Sequence, residues 1–136
     1  MRYLAWLFAL PLLAHAAGEG AWQASSIGVT LNHRGVAASS APLASSQPVN
    51  GLMTLVAWRY ELNGPTPAGL IVRLCSQTRC VALDGQSGTT LGFTGVPATE
   101  PLRFVWEVPG GGRLMPALKV QSNQVIVNYR QPAQNG

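Results

Sequence analysis

Apolar and polar residues alternate with a period of two along most of this chain, which predicts half-buried β-strands and no amphipathic helix. Ile27, Val29, Leu31 and His33 alternate with Gly28, Thr30, Asn32 and Arg34, giving a first strand over 27–34. The longest run, 52–62 (LMTLVAWRYEL), carries Leu52, Thr54, Val56, Trp58, Tyr60 and Leu62 on one face and Met53, Leu55, Ala57, Arg59 and Glu61 on the other. Apolar residues on both faces of its first half predict a central strand covered on both sides. Residues 69–84 read as a hairpin with a deducible register. If Cys75 faces Cys80 across Ser76-Gln77-Thr78-Arg79, then Leu74 faces Val81 and Val72 faces Leu83, so the four apolar residues share one face. A short strand follows around 89–93, and 102–108 sets Leu102, Phe104, Trp106 and Val108 against Arg103, Val105 and Glu107. Residues 117–130 read as a second hairpin turning at Ser122-Asn123, which pairs Val120 with Val125 and Leu118 with Val127.

Turn chemistry separates these segments. Asn63-Gly64-Pro65-Thr66-Pro67, Asp84–Gly88 and Pro109-Gly110-Gly111-Gly112 are punctuation, and 37–48 (AASSAPLASSQP) reads as a polar, small-residue loop that buries little. About seven strands at such intervals predict an all-β fold, a single antiparallel, Ig-like β-sandwich with one hairpin disulfide. A closed β-barrel is the alternative.

The first sixteen residues depart from this pattern. Arg2 precedes an uninterrupted apolar run from Tyr3 to Leu13, and Ala14-His15-Ala16 has the small-x-small form of a cleavage site. The run is about half the roughly twenty residues a spanning helix needs, so 1–16 read as a cleaved secretory signal peptide. The expected organisation is therefore a leader over 1–16, a β-sandwich over 17–130 and a disordered tail over 131–136, with a periplasmic address and no stable membrane insertion after cleavage. The nine basic residues include Arg2; without it eight face five acidic ones, a net charge of +3. They are spread singly, unlike the clustered footprint of a nucleic-acid binder, so no nucleic-acid partner is expected.

The two cysteines, outside the cytoplasm and in facing hairpin positions, predict a structural Cys75–Cys80 disulfide. Metal binding has too few ligands, because His33 is the one histidine beyond the leader, and no cofactor motif is present. His33 falls on the apolar side of its strand and is expected to be hydrogen-bonded and at least half buried. No serine sits in a nucleophile-elbow context, and Asp84-Gly85 reads as a turn, so no catalytic residues are assigned. Trp58, Tyr60, Phe104 and Trp106 fall on core-facing positions. Trp22, before the first clear strand, either caps an open end of the core or is an exposed contact. Met53, Leu55 and Val105 lie opposite the main core face and need cover from a partner or a second copy. Arg113 ends a loop that either binds or merely connects. These five residues are the candidate partner-binding set.

The segments AAGEGAWQ, GVTLNHRG, LVAWRYELNGPTPAGLIVRLCSQTRCVALDGQSGTT and EPLRFVWEVPGGGRLMPALKVQSNQVIVNYR resemble the flagellar FlhE family of enterobacteria. The resemblance spans nearly all of the chain from Ala17 to Arg130. It implies a periplasmic accessory protein of the flagellar type III export system, associated with limiting proton leakage through the export gate and with a chaperone-like role against wrong assembly in the periplasm. It implies rod or export-apparatus proteins as partners, and brings no catalytic residues. A cell-wall or carbohydrate-binding module, using an exposed Trp22, is the alternative; a hydrolase using His33 is a more distant one.

Overall fold

Two antiparallel sheets, without helix among the described residues, enclose one core. The computed structural model describes residues 18–131; the leader assigned to 1–16 and, Gln131 apart, the tail assigned to 131–136 lie outside them. Nine strands follow in order: β1 Glu19–Ile27, β2 Thr30–His33, β3 Ala38–Ser39, β4 Leu52–Asn63, β5 Ile71–Cys75, β6 Cys80–Ala82, β7 Ser87–Thr90, β8 Arg103–Glu107 and β9 Arg113–Arg130. The first sheet runs β1-β9-β4-β7, with β2 also paired to β9; the second runs β3-β8-β5-β6. The expected all-β architecture and hairpin disulfide are present, with two more strands than the alternation suggested.

Where alternation is unbroken, the expected faces hold. Cys75 pairs with Cys80 and Leu74 with Val81, and the Leu83 amide donates to the Val72 carbonyl at 2.9 Å. Leu102, Phe104, Trp106 and Val108 are all fully buried. Phe104 stacks on Trp106 with centroids 5.5 Å apart, and Tyr60 meets both rings edge-on.

Where the period breaks, the expectations fail. On β4 the register against β9 slips by one residue between Met53 and Val56. This β-bulge reverses the phase, so Met53 enters the core beside Val56, Trp58 and Tyr60 while Leu52 turns outward. The 117–130 segment is not a hairpin. β9 is one 18-residue strand, and a second register slip against β4 lies at Gln121, between the Glu61–Ser122 and Leu62–Val120 pairs. Leu118 and Val120 before this point and Val125 and Val127 after it all face inward. A phase change produces the same apolar set as a turn, which is why the two are indistinguishable from the pattern. Asn123, read as a turn residue, is instead buried in the core, its Oδ1 accepting from Ser26 Oγ at 3.0 Å.

β1 was hidden by its small residues. It runs beside β9 from Glu19–Arg130 to Ile27–Ser122, and β2 continues the register at Thr30–Lys119. Gly28 marks the point where both strands change phase: a Cβ there would lie 1.9 Å from the Val120 carbonyl oxygen. Ile27 precedes this kink and points out, 86% exposed, whereas Leu31 after it is buried. His33 is exposed, contrary to its expected half-burial, because it ends β2 beyond the last buried position. The 37–48 loop is also more engaged than expected. Ala38–Ser39 pair with β8, Leu43 is buried and bridges Leu102, and Ser40 Oγ accepts from the Phe104 amide.

Irregular backbone over 91–101 closes one end of the core, burying Phe93, Val96 and Ala98. It is stitched to β4 and its approach by hydrogen bonds from the Met53 amide to Val96, from Gly95 to Met53 and from Ala98 to Gly51. At the same end the chain's two described termini meet, the Gln131 amide donating to the Gly18 carbonyl at 2.8 Å.

Candidate functional site

The Cys75–Cys80 disulfide closes a hairpin whose tip is held from two sides. Arg79 donates to the carbonyls of Gly92 and Thr94 at 2.9 and 3.0 Å, and Glu100 accepts from the Gln77 amide at 3.0 Å. The hairpin therefore clamps the 91–101 segment at both ends of its course. Its chemistry is mechanical support.

The five candidate partner-binding residues do not converge. Trp22 is buried, its indole Nε1 donating to the Ala98 carbonyl at 3.0 Å. Of its two readings the structure supports the cap, because β1 carries the side chain into the open end of the core. Burial also removes the ground for a glycan-binding surface built on this tryptophan. Met53 is fully buried through the β4 bulge and offers nothing to a partner. Val105 is half buried on the outer side of the second sheet, opposite Arg73, whose guanidinium pairs with Glu107 at 3.5 Å. Arg113 is exposed and pairs across the ladder with His33, far along β9 from the others. Leu55 alone stands on an apolar outer surface.

That surface is built by the bulge. Because the phase of β4 reverses at Thr54 and Leu55, the residues Leu52, Leu55 and Ala57 all lie off the core side. On β9 the outward position opposite Ala57 is Ile126, and the row continues to Gln23 of β1 and Thr89 of β7. Leu55 and Ile126 are 37% and 38% exposed, and Leu52 is 44% exposed. Two shallow depressions mark the face. One of about 290 Å³ lies among Ala57, Arg59, Gln124 and Ile126; another of about 300 Å³ lies among Leu52, Thr54, Thr94 and Arg130. Its charges are largely self-paired, Arg59 with Glu61 at 3.2 Å and Arg130 with Glu19 at 3.6 Å. Such a surface can hold a partner by apolar contact with a polar rim. Among the described residues no three His, Cys, Asp or Glu side chains gather as a metal site. No described helix is long and apolar enough to cross a membrane. Sequence reasoning missed Leu52 because it placed that residue on the core face, and it did not single out Ile126; the signal was present only as excess apolar residues at 52–56.

Comparison with known proteins gives a consistent result. Residues 28–130 match the family described as Flagellar protein FlhE. Flagellar protein FlhE of Salmonella typhimurium (strain LT2) is 77% identical over 130 residues, covering 96% of this chain and all of the relative. The Escherichia coli (strain K12) protein of the same description is 71% identical over the same span, and that of Yersinia enterocolitica 42% identical over 133 residues, covering 95% of both chains. A solved structure described as "Crystal Structure of FLHE" superposes with a TM-score of 0.83 at 82% identity, covering 85% of this chain and all of that one.

Proposed function

This chain belongs to the FlhE family of flagellar proteins, and from that premise we propose that it is a non-enzymatic periplasmic accessory of the flagellar type III export system. In this reading it holds a flagellar rod or export component after that component has crossed the inner membrane. Holding it keeps the component from assembling wrongly in the periplasm and limits proton leakage through the export apparatus. The leader-like start at 1–16 supports the address, and the cleavage site would release the sandwich with little more than Ala17 ahead of the described fold. The observation that carries the mode of action is the apolar outer face of β4 and β9, where Leu52, Leu55 and Ile126 stand exposed beside a self-neutralised rim. A partially exposed aliphatic row of this kind suits a weakly amphipathic partner segment, and such contact needs no catalytic group.

The test is capture of basal-body proteins from intact cells by crosslinking, comparing wild type with Leu55→Arg and Ile126→Arg. Loss of capture with unchanged folding is the expected result. Undiminished capture by both variants would remove the face from the proposal, and capture of exclusively non-flagellar proteins would remove the function.

A further inference from the structure

At the end of β4 away from the 91–101 cap, the β4–β5 and β6–β7 connections face each other across a cleft of about 560 Å³. Pro67, Leu70 and Leu83 supply apolar wall, and Tyr60, Asp84 and Gln86 supply polar groups; the lining contains no basic side chain. Tyr60 is 4% exposed, its ring set edge-on against the stacked pair Phe104 and Trp106, and among the described residues none hydrogen-bonds its hydroxyl. Burial raises the pKa of that hydroxyl, which keeps it protonated and able both to donate and to accept. Asp84 is equally unengaged. Glu19, Glu61 and Glu107 have arginine partners, and Glu100 accepts from the hairpin tip. Among the described residues Asp84 alone of the five carboxylates has neither an ion pair nor a hydrogen bond. Gly85, at φ +80°, makes the turn after it, so the turn does not consume the carboxylate. The wall carrying Asp84 is held in place by bonds from the Leu83 amide to Val72, from the Tyr60 amide to Gln86 and from Trp58 Nε1 to the Gly85 carbonyl.

We propose that this cleft binds a cation on an aliphatic stem, a primary ammonium or guanidinium whose head meets Asp84 and the Tyr60 hydroxyl while its stem lies along Pro67, Leu70 and Leu83. The carboxylate sets the sign of the charge and the Tyr60 hydroxyl, open to the cleft, supplies an unfilled acceptor; a hydrogen bond to a charged group is the stronger kind. The stem repays its desolvation against the apolar wall. The chemistry is that of a lysine or arginine side chain of a partner, or of a free aliphatic amine. The cleft is separate from the outer face of β4 and β9, so it stands or falls independently of the docking role.

The experiment is an amide-resolved NMR titration of the full mature chain with pentylamine, with 1-pentanol as the uncharged control. Pentylamine is expected to shift the amides of 66–70 and 83–86 saturably and to lose affinity as salt is raised. Asp84→Asn should weaken it by about tenfold and Tyr60→Phe by about threefold, while Leu55→Arg leaves it unchanged. Tighter binding of Nα-acetyl-lysine methylamide than of 1,5-diaminopentane identifies a partner's side chain as the source, and the reverse order identifies a free amine. Equal shifts with pentanol, or an unaltered affinity in Asp84→Asn, would overturn the assignment.

Discussion

Trp22 and Ala98, 76 residues apart, are joined by a 3.0 Å hydrogen bond from the indole to a carbonyl, and through it the first strand holds the segment that seals the core. Both residues are buried, so neither group has water to fall back on. Trp22→Phe keeps most of the apolar volume and strands the carbonyl; it should lower the unfolding free energy by about 1–3 kcal/mol. Trp22→Ala adds a cavity and should cost about 3–5 kcal/mol. Urea unfolding followed by far-UV dichroism reads both, and a Trp22→Phe variant as stable as wild type would deny the hydrogen bond its role.

Gly28 is required by close approach and not by turn geometry. A Cβ there would sit 1.9 Å from the Val120 oxygen, a backbone atom that can yield only if β9 moves. Gly28→Ala should destabilise by about 2 kcal/mol or more through overpacking. Gly111→Ala, where a Cβ meets nothing within 4 Å, should fall within about 0.5 kcal/mol of wild type. The contrast between the two, measured by thermal unfolding, is the test.

Reduction of the Cys75–Cys80 bond, or Cys75→Ser with Cys80→Ser, should cost about 2 kcal/mol, the value expected for so short a loop. The fold itself should persist, because Arg79 and Glu100 hold the hairpin tip without it. Adding Arg79→Ala to the reduced protein should therefore cost more than it does in the oxidised one, a non-additivity that a double-mutant cycle measures.

Burial raises the Tyr60 hydroxyl above its ordinary 10.0, so in alkaline solution the unfolded chain loses this proton before the folded one does. The folded state then binds more protons than the unfolded state, and stability falls as pH rises above 10.0 and on through the folded value. Below 10.0 the contribution is fully present. Tyr60→Phe should flatten that alkaline decline, which paired denaturant titrations across the range will reveal.

The legible parts of this fold were those with unbroken two-residue periodicity. The 69–84 hairpin and the 102–108 strand could be placed residue by residue, because one register alone satisfied both the cysteines and the apolar faces. Met53 and Leu52 exchanged roles because a bulge inserts one residue without leaving a compositional mark. Ser122-Asn123 imitated a turn for the same reason, since small polar residues serve both a hairpin and a strand that changes phase. β1 escaped notice because its inward positions are Gly20, Trp22, Ala24 and Ser26, with a single large apolar residue among four. The outer face depended in part on the misread bulge, so Leu55 and Ala57 were anticipated on it while Leu52 and Ile126 were not. Phe93 and Val96 lie on irregular backbone, where no period exists to announce burial.

β9 is the last strand in sequence and sits inside the first sheet, with β1 and β2 along one side and β4 along the other. Every strand of that sheet except β7 therefore takes its hydrogen bonds from residues that arrive last. A chain emerging amino-terminus first from a ribosome or a translocation pore cannot complete the sheet until the residues up to Arg130 are through. Until then β1, β2 and one side of β4 wait without partners. Closure of the first sheet is consequently a late step that depends on long-range pairing. The order of strands thus leaves the first sheet open while the chain is being made and gives the closing step to β9, Arg113–Arg130.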